Sequence, residues 1–217
     1  MTLLTQDEMG GVTIPRAPTE REKRLAEALA GRSIVLVGMM GAGKSAVGRR
    51  LAGRLGLEFR DADTEIEEAA QKTIAEIFAG DGEAFFRDKE RRVINRLLSC
   101  EMPIVLATGG GAYMNAETRA LIAERGISIW LKAEFDVLMK RIRRRQDRPL
   151  LRTEDPAATL RKLIEERDPI YALADLTIQS RDVLHDKIVD EIVSGLAGQM
   201  QVACAGAGQA SEGDRQP

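Results

Sequence analysis

The sequence predicts an α/β fold with a five-stranded parallel sheet covered by helices on both faces. Three observations predict it. Short apolar runs alternate with capped amphipathic helices along the chain, the pattern of strands buried on both faces. A glycine-rich turn joins the first such run to a helix. A second glycine run follows the third strand, and ligands of open α/β sheets collect at the carboxyl ends of strands.

The elements follow in order. Residues 1–18 contain Gly10, Gly11, Pro15 and Pro18 and read as a flexible leader. Thr19 with Glu22 forms a capping box that opens a first helix, closed by Gly31. Residues 33–37 are a continuous apolar run, the first strand. A helix over 44–55 ends at Gly56, and a second strand covers 57–60. Thr73 and Glu76 repeat the capping box, and a longer helix spans 83–98. The third strand, 103–107, runs into Thr108-Gly109-Gly110-Gly111. Residues 115–125 are helical and stop at Gly126, before a fourth strand over 127–131.

A helix over 134–142 then enters a basic stretch. Asp155 before Pro156 starts the next helix, since Asp is favoured at the cap and proline at the first helical position. A short fifth strand, 176–178, and an amphipathic helix, 182–196, complete the fold. Residues 198–217 are small and polar without apolar period, and are expected to be a disordered tail. The domain reading is therefore a leader (1–18), one folded body (19–197) and the tail.

Composition narrows the function. The net charge is -2, so no overall field favours nucleic acid. No apolar run reaches the roughly 18 residues of a membrane span. Residues 1–11 carry Asp7 and Glu8 and no long apolar stretch, so no secretory signal is read there. Cys100 and Cys204 lie far apart in no metal-type spacing, and a reduced, cytoplasmic compartment is the default. The single histidine, His185, falls in a polar helical stretch and reads as a surface residue.

Gly38-Met39-Met40-Gly41-Ala42-Gly43-Lys44-Ser45 fits the P-loop pattern between a strand and a helix. Glycines let the backbone approach a phosphate, and N–H groups at the helix start, continuing into Ala46, form an anion nest. Lys44 can reach the outer phosphates and the Ser45 hydroxyl can hold Mg²⁺. A bare glycine turn would not need the strand before and the helix after. The dinucleotide fingerprint fails, because Met40 stands at its second glycine.

Asp61 and Asp63 lie just past the second strand. Alternate residues at a strand end point the same way, so both carboxylates can face the cleft. One can position Mg²⁺ and the other can take a hydroxyl proton. Two solvated loop aspartates fit the same pattern.

Gly38–Ser45, Asp61-x-Asp63, Gly82-Glu83-x-x-Phe86-Arg87-x-x-Glu90 and Thr108–Gly111 occur in the order and spacing of shikimate kinases. Arg148-Pro149-Leu150-Leu151 and Arg167-x-Pro169-x-Tyr171 complete the set, so the sequence resembles that family over residues 33–195. The resemblance implies a P-loop three-layer α/β/α fold of the nucleoside-monophosphate-kinase type with a mobile lid over about 143–155. It implies transfer of the γ-phosphoryl group of ATP, with Mg²⁺, to the 3-hydroxyl of shikimate.

Residue by residue, Asp63 resembles the base and shikimate contact, and Asp61 the aspartate that places Mg²⁺ with Ser45. Arg87 and Arg167 resemble the grip on the substrate carboxylate, and Glu90 the residue orienting Arg87. Gly109, Gly110 and Gly111 resemble the backbone that approaches substrate and γ-phosphate. Arg148 resembles the lid arginine, joining Lys44 as a catalytic cation. Phe78 and Phe86 resemble aromatic residues lining the acceptor pocket, although Phe78 also fits a plain core position. The adenine-contacting arginine falls among Arg143, Arg144 and Arg145. Gln71 departs from the family, which often has Gly at that helix end.

The chemistry agrees, since an arginine fork matches a carboxylate with two parallel bonds. The basic run, 140–148, reads as a lid closing over ATP, and no aromatic residue interleaves it as single-strand binding would need. The expected partners are ATP and shikimate, without nucleic acid or membrane, and the expected state is a monomer. Two other classes share the P-loop: another small-molecule kinase, such as a gluconate kinase, and a nucleotide-binding regulatory module without transfer activity. The first should lack the glycine run together with Arg87 and Arg167. The paired aspartates beside that arginine pair argue against the second.

Overall fold

The computed structural model describes residues 17–143 and 155–207. The strands are β1 (Ser33–Val37), β2 (Glu58–Asp61), β3 (Ile104–Ala107), β4 (Gly126–Lys132) and β5 (Leu176–Gln179). They form one five-stranded sheet in the order β2-β3-β1-β4-β5, and every pairing is parallel. Central β1 reads Ser-Ile-Val-Leu-Val and is buried throughout, because helices cover both of its faces. The chain builds outward from β1 first toward β2 and β3, then toward β4 and β5. The direction changes at β1, so a crevice opens at its carboxyl end.

Helices α1 (Glu20–Ala28), α2 (Lys44–Leu55) and α9 (His185–Ala207) pack on one another. A second group joins α3 (Ala62–Ala70), α4 (Ile74–Gly80) and α6 (Ala116–Arg125) to α5 (Gly82–Leu98). The pair α7 (Phe135–Arg143) and α8 (Pro156–Tyr171) precedes and follows residues 144–154. Local chemistry sets several of these starts. Both capping boxes form: the Thr19 hydroxyl accepts from the Glu22 amide at 3.3 Å, and the Thr73 hydroxyl from the Glu76 amide at 3.2 Å. Asp155 accepts from the Ala157 and Ala158 amides at 3.0 and 2.9 Å. Buried Glu22 also holds Arg54 Nε at 2.6 Å, tying α1 to α2.

Most boundaries fall within a residue or two of the sequence reading, and the departures that matter are at the end of β2 and in the last helix. The chain turns into α3 immediately after Asp61, which caps that helix by accepting from the Asp63 amide at 3.1 Å. The last helix starts at His185, not 182, and continues to Ala207 rather than stopping at 196. Residues 197–207 are rich in alanine and contain no proline, so adding turns to an established helix costs little although the stretch lacks an apolar period. Gln199 Nε2 donates to the Asp175 carbonyl at 2.5 Å, holding that extension beside the start of β5.

Gln71 closes α3 with φ 51°, a left-handed conformation. A side chain is strained there by about 1 kcal/mol, partly offset by its own Nε2 donating to the Glu68 carbonyl at 2.8 Å. Gln71→Gly is expected to raise unfolding free energy by about 0.5–1 kcal/mol. Urea unfolding checks it; an unchanged or lower midpoint would show that the side-chain bond outweighs the strain.

Candidate active site

The P-loop leaves the carboxyl end of β1 and delivers α2. Gly43 sits at the N-cap with φ 93°, and no side chain caps the helix. Its first amides are left for an anion, which a left-handed glycine makes possible. Lys44 crosses back over the loop, donating from Nζ to the Gly38 and Met39 carbonyls at 2.8 and 3.0 Å. Met39, Met40 and Ala42 are buried and fix the loop to the core.

The two aspartates part company. The Asp61 carboxylate accepts from the Ser45 hydroxyl at 2.6 Å, beside the P-loop. Asp63, already inside α3, instead reaches toward Gly109: a Cβ placed there would lie 3.0 Å from Asp63 Oδ1 and would strike Glu90 Oε1. The alternate-residue argument fails because β2 ends at Asp61, so helical rather than strand geometry directs Asp63. Ser45 and Asp61 give a hydroxyl and a carboxylate, hard oxygen donors that suit Mg²⁺ sharing phosphate oxygens and waters.

Thr108 ties the glycine run to β1, its amide and hydroxyl both donating to the Leu36 carbonyl at 3.2 and 3.0 Å. A Cβ on Gly111 would collide with the Arg87 guanidinium, so only glycine lets this backbone lie under the arginine. Arg87 Nη1 donates to Glu90 Oε2 at 2.7 Å, and Arg87 Nη2 to Glu83 at 3.0 Å. Arg167, on α8, donates from Nη1 to the Gly110 carbonyl at 3.2 Å. Phe86 is buried beneath Arg87, whose Cζ lies 5.1 Å from the ring centroid. Half-buried Phe78 packs on Phe86 at 4.8 Å between centroids.

Glu90 is the hub of this half of the site. It is 2% exposed, and its Oε1 is buried without a hydrogen-bond partner. Burial pushes its carboxyl above the usual range; Arg87 and Arg167 pull it down and Asp63 pushes it up. All three groups therefore lie within electrostatic reach of one buried carboxylate.

The other rim of the P-loop holds residues that the sequence reading missed. Arg141 Nη1 donates to the Gly41 and Ala42 carbonyls at 3.2 and 3.4 Å and to Ser180 Oγ at 2.9 Å. Arg143 lies on the other face of α7, in a cleft with Phe135, Met139 and Arg161. The helical period explains the difference, since residues two apart point roughly 200° away from each other. Arg144, Arg145 and Arg148 lie outside the described residues. His185 is not a plain surface residue. Its Nε2 comes 3.9 Å from a Cβ on Gly43. Burial, then the Arg50 and Arg141 charges, lower its pKa, against an opposing pull from Asp186. The imidazole is thus neutral at neutral pH.

Comparison with known proteins identifies the family. The family model described as shikimate kinase matches residues 40–197. The chain belongs to the shikimate kinase family. It is 61% identical to a shikimate kinase of Bradyrhizobium diazoefficiens, over 82% of this chain and 86% of that protein. A Rhodopseudomonas palustris shikimate kinase is 60% identical, over 85% and 92% respectively. The structure of an Acinetobacter baumannii shikimate kinase in complex with shikimate superposes with a TM-score of 0.76 at 39% identity. It covers 81% of this chain and 98% of that one. A Sinorhizobium meliloti gluconokinase, at 20% identity and TM-score 0.56 over 80% of this chain and 95% of that one, shares the fold alone. As a member of the shikimate kinase family, this protein is an ATP-dependent phosphotransferase that uses Mg²⁺. Among the described residues, no helix is long and apolar enough to cross a membrane.

Proposed function

We propose that the chain transfers the γ-phosphoryl group of MgATP to the 3-hydroxyl of shikimate, giving shikimate 3-phosphate and ADP. The observation that carries this reading is the gathering of Arg87, Arg167 and Asp63 around buried Glu90. That cluster lies on a glycine run packed against the P-loop. Shikimate is a carboxylate on a ring bearing three hydroxyls. Arg87 and Arg167 offer guanidinium forks to the carboxylate. Glu90 fixes Arg87, so less side-chain entropy is lost on binding. Asp63 holds the acceptor hydroxyl and receives its proton at the carboxylate as transfer proceeds.

Gly38 to Ala46 cradle the phosphates through backbone amides, and Lys44 stabilises charge on the transferring group. Ser45 and Asp61 would hold Mg²⁺, which when bound neutralises charge on the β- and γ-phosphates. The reaction needs positioning and charge stabilisation rather than a covalent enzyme intermediate. Arg141, at the far end of the P-loop from Gly110, is assigned to the nucleoside side in place of Arg143. Arg148 keeps the lid role that the family resemblance gives it.

We assign a single catalytic body from residue 19 to the end of α9, longer than the 19–197 read from the sequence, acting as a cytoplasmic monomer. Among the described residues, only Phe85, Met102, Leu173, Val183 and Leu184 are large apolar side chains left exposed, few for a surface that would pair with a second copy. The deciding experiment offers the full chain MgATP with shikimate, quinate or gluconate and follows ADP release and ³¹P spectra. Shikimate-dependent ADP and a 3-phosphate product are expected. Equal release with gluconate, or none with shikimate, would overturn the reading.

A further inference from the structure

Gly110 is where the donor and acceptor halves of the site meet. A Cβ there would come 3.3 Å from the Met40 amide nitrogen and 3.6 Å from the Gly38 carbonyl oxygen, so its backbone lies against the P-loop. Its carbonyl accepts from Arg167 Nη1 at 3.2 Å and from the Tyr171 hydroxyl. The same hydroxyl lies 3.9 Å from the Met39 sulfur, on the P-loop itself. Tyr171 is fully buried. Its ring stacks between Tyr113, 6.4 Å away, and Trp130, 5.8 Å away. Burial raises the phenol pKa well above its usual value, so the proton stays on oxygen and is available to donate.

A peptide unit is planar, so the Gly110 carbonyl and the Gly111 amide turn together. Three successive glycines have weak conformational preferences of their own. Their orientation must be set by outside pins. Arg167 is one, but it also serves the substrate carboxylate and must adjust as ligand arrives. Tyr171 also meets Arg167, but it is not assigned to the substrate and is held by its stacked neighbours.

We propose that Tyr171 is a positioning residue for phosphoryl transfer, its hydroxyl pinning the Gly110 carbonyl so that the Gly111 amide faces the reacting groups. This rests on the reading of Gly109–Gly111 as the backbone beside substrate and γ-phosphate. Displacing reacting groups by about 1 Å can cost roughly 10²-fold in rate. Losing one of two pins should cost less, about tenfold.

The test compares Tyr171→Phe with Tyr113→Phe. The second change removes a hydroxyl from the same aromatic stack, one that meets Ser128 Oγ at 3.4 Å. Tyr171→Phe is expected to lower kcat about tenfold with KM for ATP within about twofold. Amide hydrogen exchange over residues 107–114 should quicken in the same variant. Tyr113→Phe should leave both near wild type. Normal kcat in Tyr171→Phe would overturn the proposal, even with faster exchange. Unchanged exchange, or an equal kcat loss in Tyr113→Phe, would also overturn it. A wild-type chain that ignores shikimate would sink the functional reading instead, and the exchange contrast would still decide whether the pin exists.

Discussion

Lys44→Ala is expected to abolish measurable turnover, a loss of at least about 10³-fold, while the fold survives. The ammonium is held over the P-loop mouth by two carbonyls, close to where the outer phosphates must lie. Charge on the γ-phosphoryl oxygens and the leaving bridge oxygen is redistributed during transfer, and a fixed cation stabilises it without reorganising at that moment. The fold should survive because the Lys44 side chain is itself only half-buried, so water can take the place of its ammonium at the Gly38 and Met39 carbonyls. The loop's anchorage also does not run through Lys44: Met39, Met40 and Ala42 are buried. Ser180 Oγ donates to the Ala42 carbonyl at 2.7 Å. Circular dichroism and a thermal melt check the fold, and ADP release checks the rate. Near-normal turnover in a folded variant would remove Lys44 from the phosphate site.

How much of this was legible depends on the range of the interaction involved. Capping boxes at Thr19 and Thr73 and the Asp155-Pro156 start act over three or four residues, and they form as expected. The P-loop is equally local, since its glycines, Lys44 and Ser45 are contiguous. Gln71 departs from the family pattern, and its positive φ makes that departure a physical strain. What needed the third dimension was choice among similar residues. In the basic run Arg141 reaches the P-loop and Arg143 does not, a matter of helix phase that an uncertain helix start conceals. The separate destinations of Asp61 and Asp63 depend on where β2 stops.

Partners distant in sequence were harder still. Tyr171 meets Gly110 across 61 positions. His185 reaches the P-loop because α9 packs against α2. A polar stretch around a lone histidine suggests solvent, and nothing local to it says otherwise. The end of α9 was misplaced for a different reason. Polarity marks where burial stops, whereas a helix stops where its propensity or capping fails.

Asp63→Asn separates chemistry from stability most sharply, because the two should move in different directions. Asparagine keeps the shape of aspartate but cannot take up the hydroxyl proton, and loss of a positioned base typically costs about 10²–10⁴-fold. A fall in kcat of about 10³-fold is expected, with KM for ATP little changed because Asp63 lies on the Gly109 side of the site. Stability should hold or rise. Asp63 crowds the buried Glu90 carboxylate and helps push its carboxyl up, so neutralising Asp63 relieves a repulsion between like charges. The α3 start should not suffer, because the bond there runs from the Asp63 backbone amide to Asp61. Groups arranged for catalysis are often arranged at the expense of stability, and Asp63 beside Glu90 has that character. Steady-state kinetics and a thermal melt on the same preparation provide both readings. Turnover within tenfold of wild type would show that the acceptor proton leaves by another route. A melting temperature several degrees lower would place Asp63 in the structural network of α3 and α5 rather than in the chemistry.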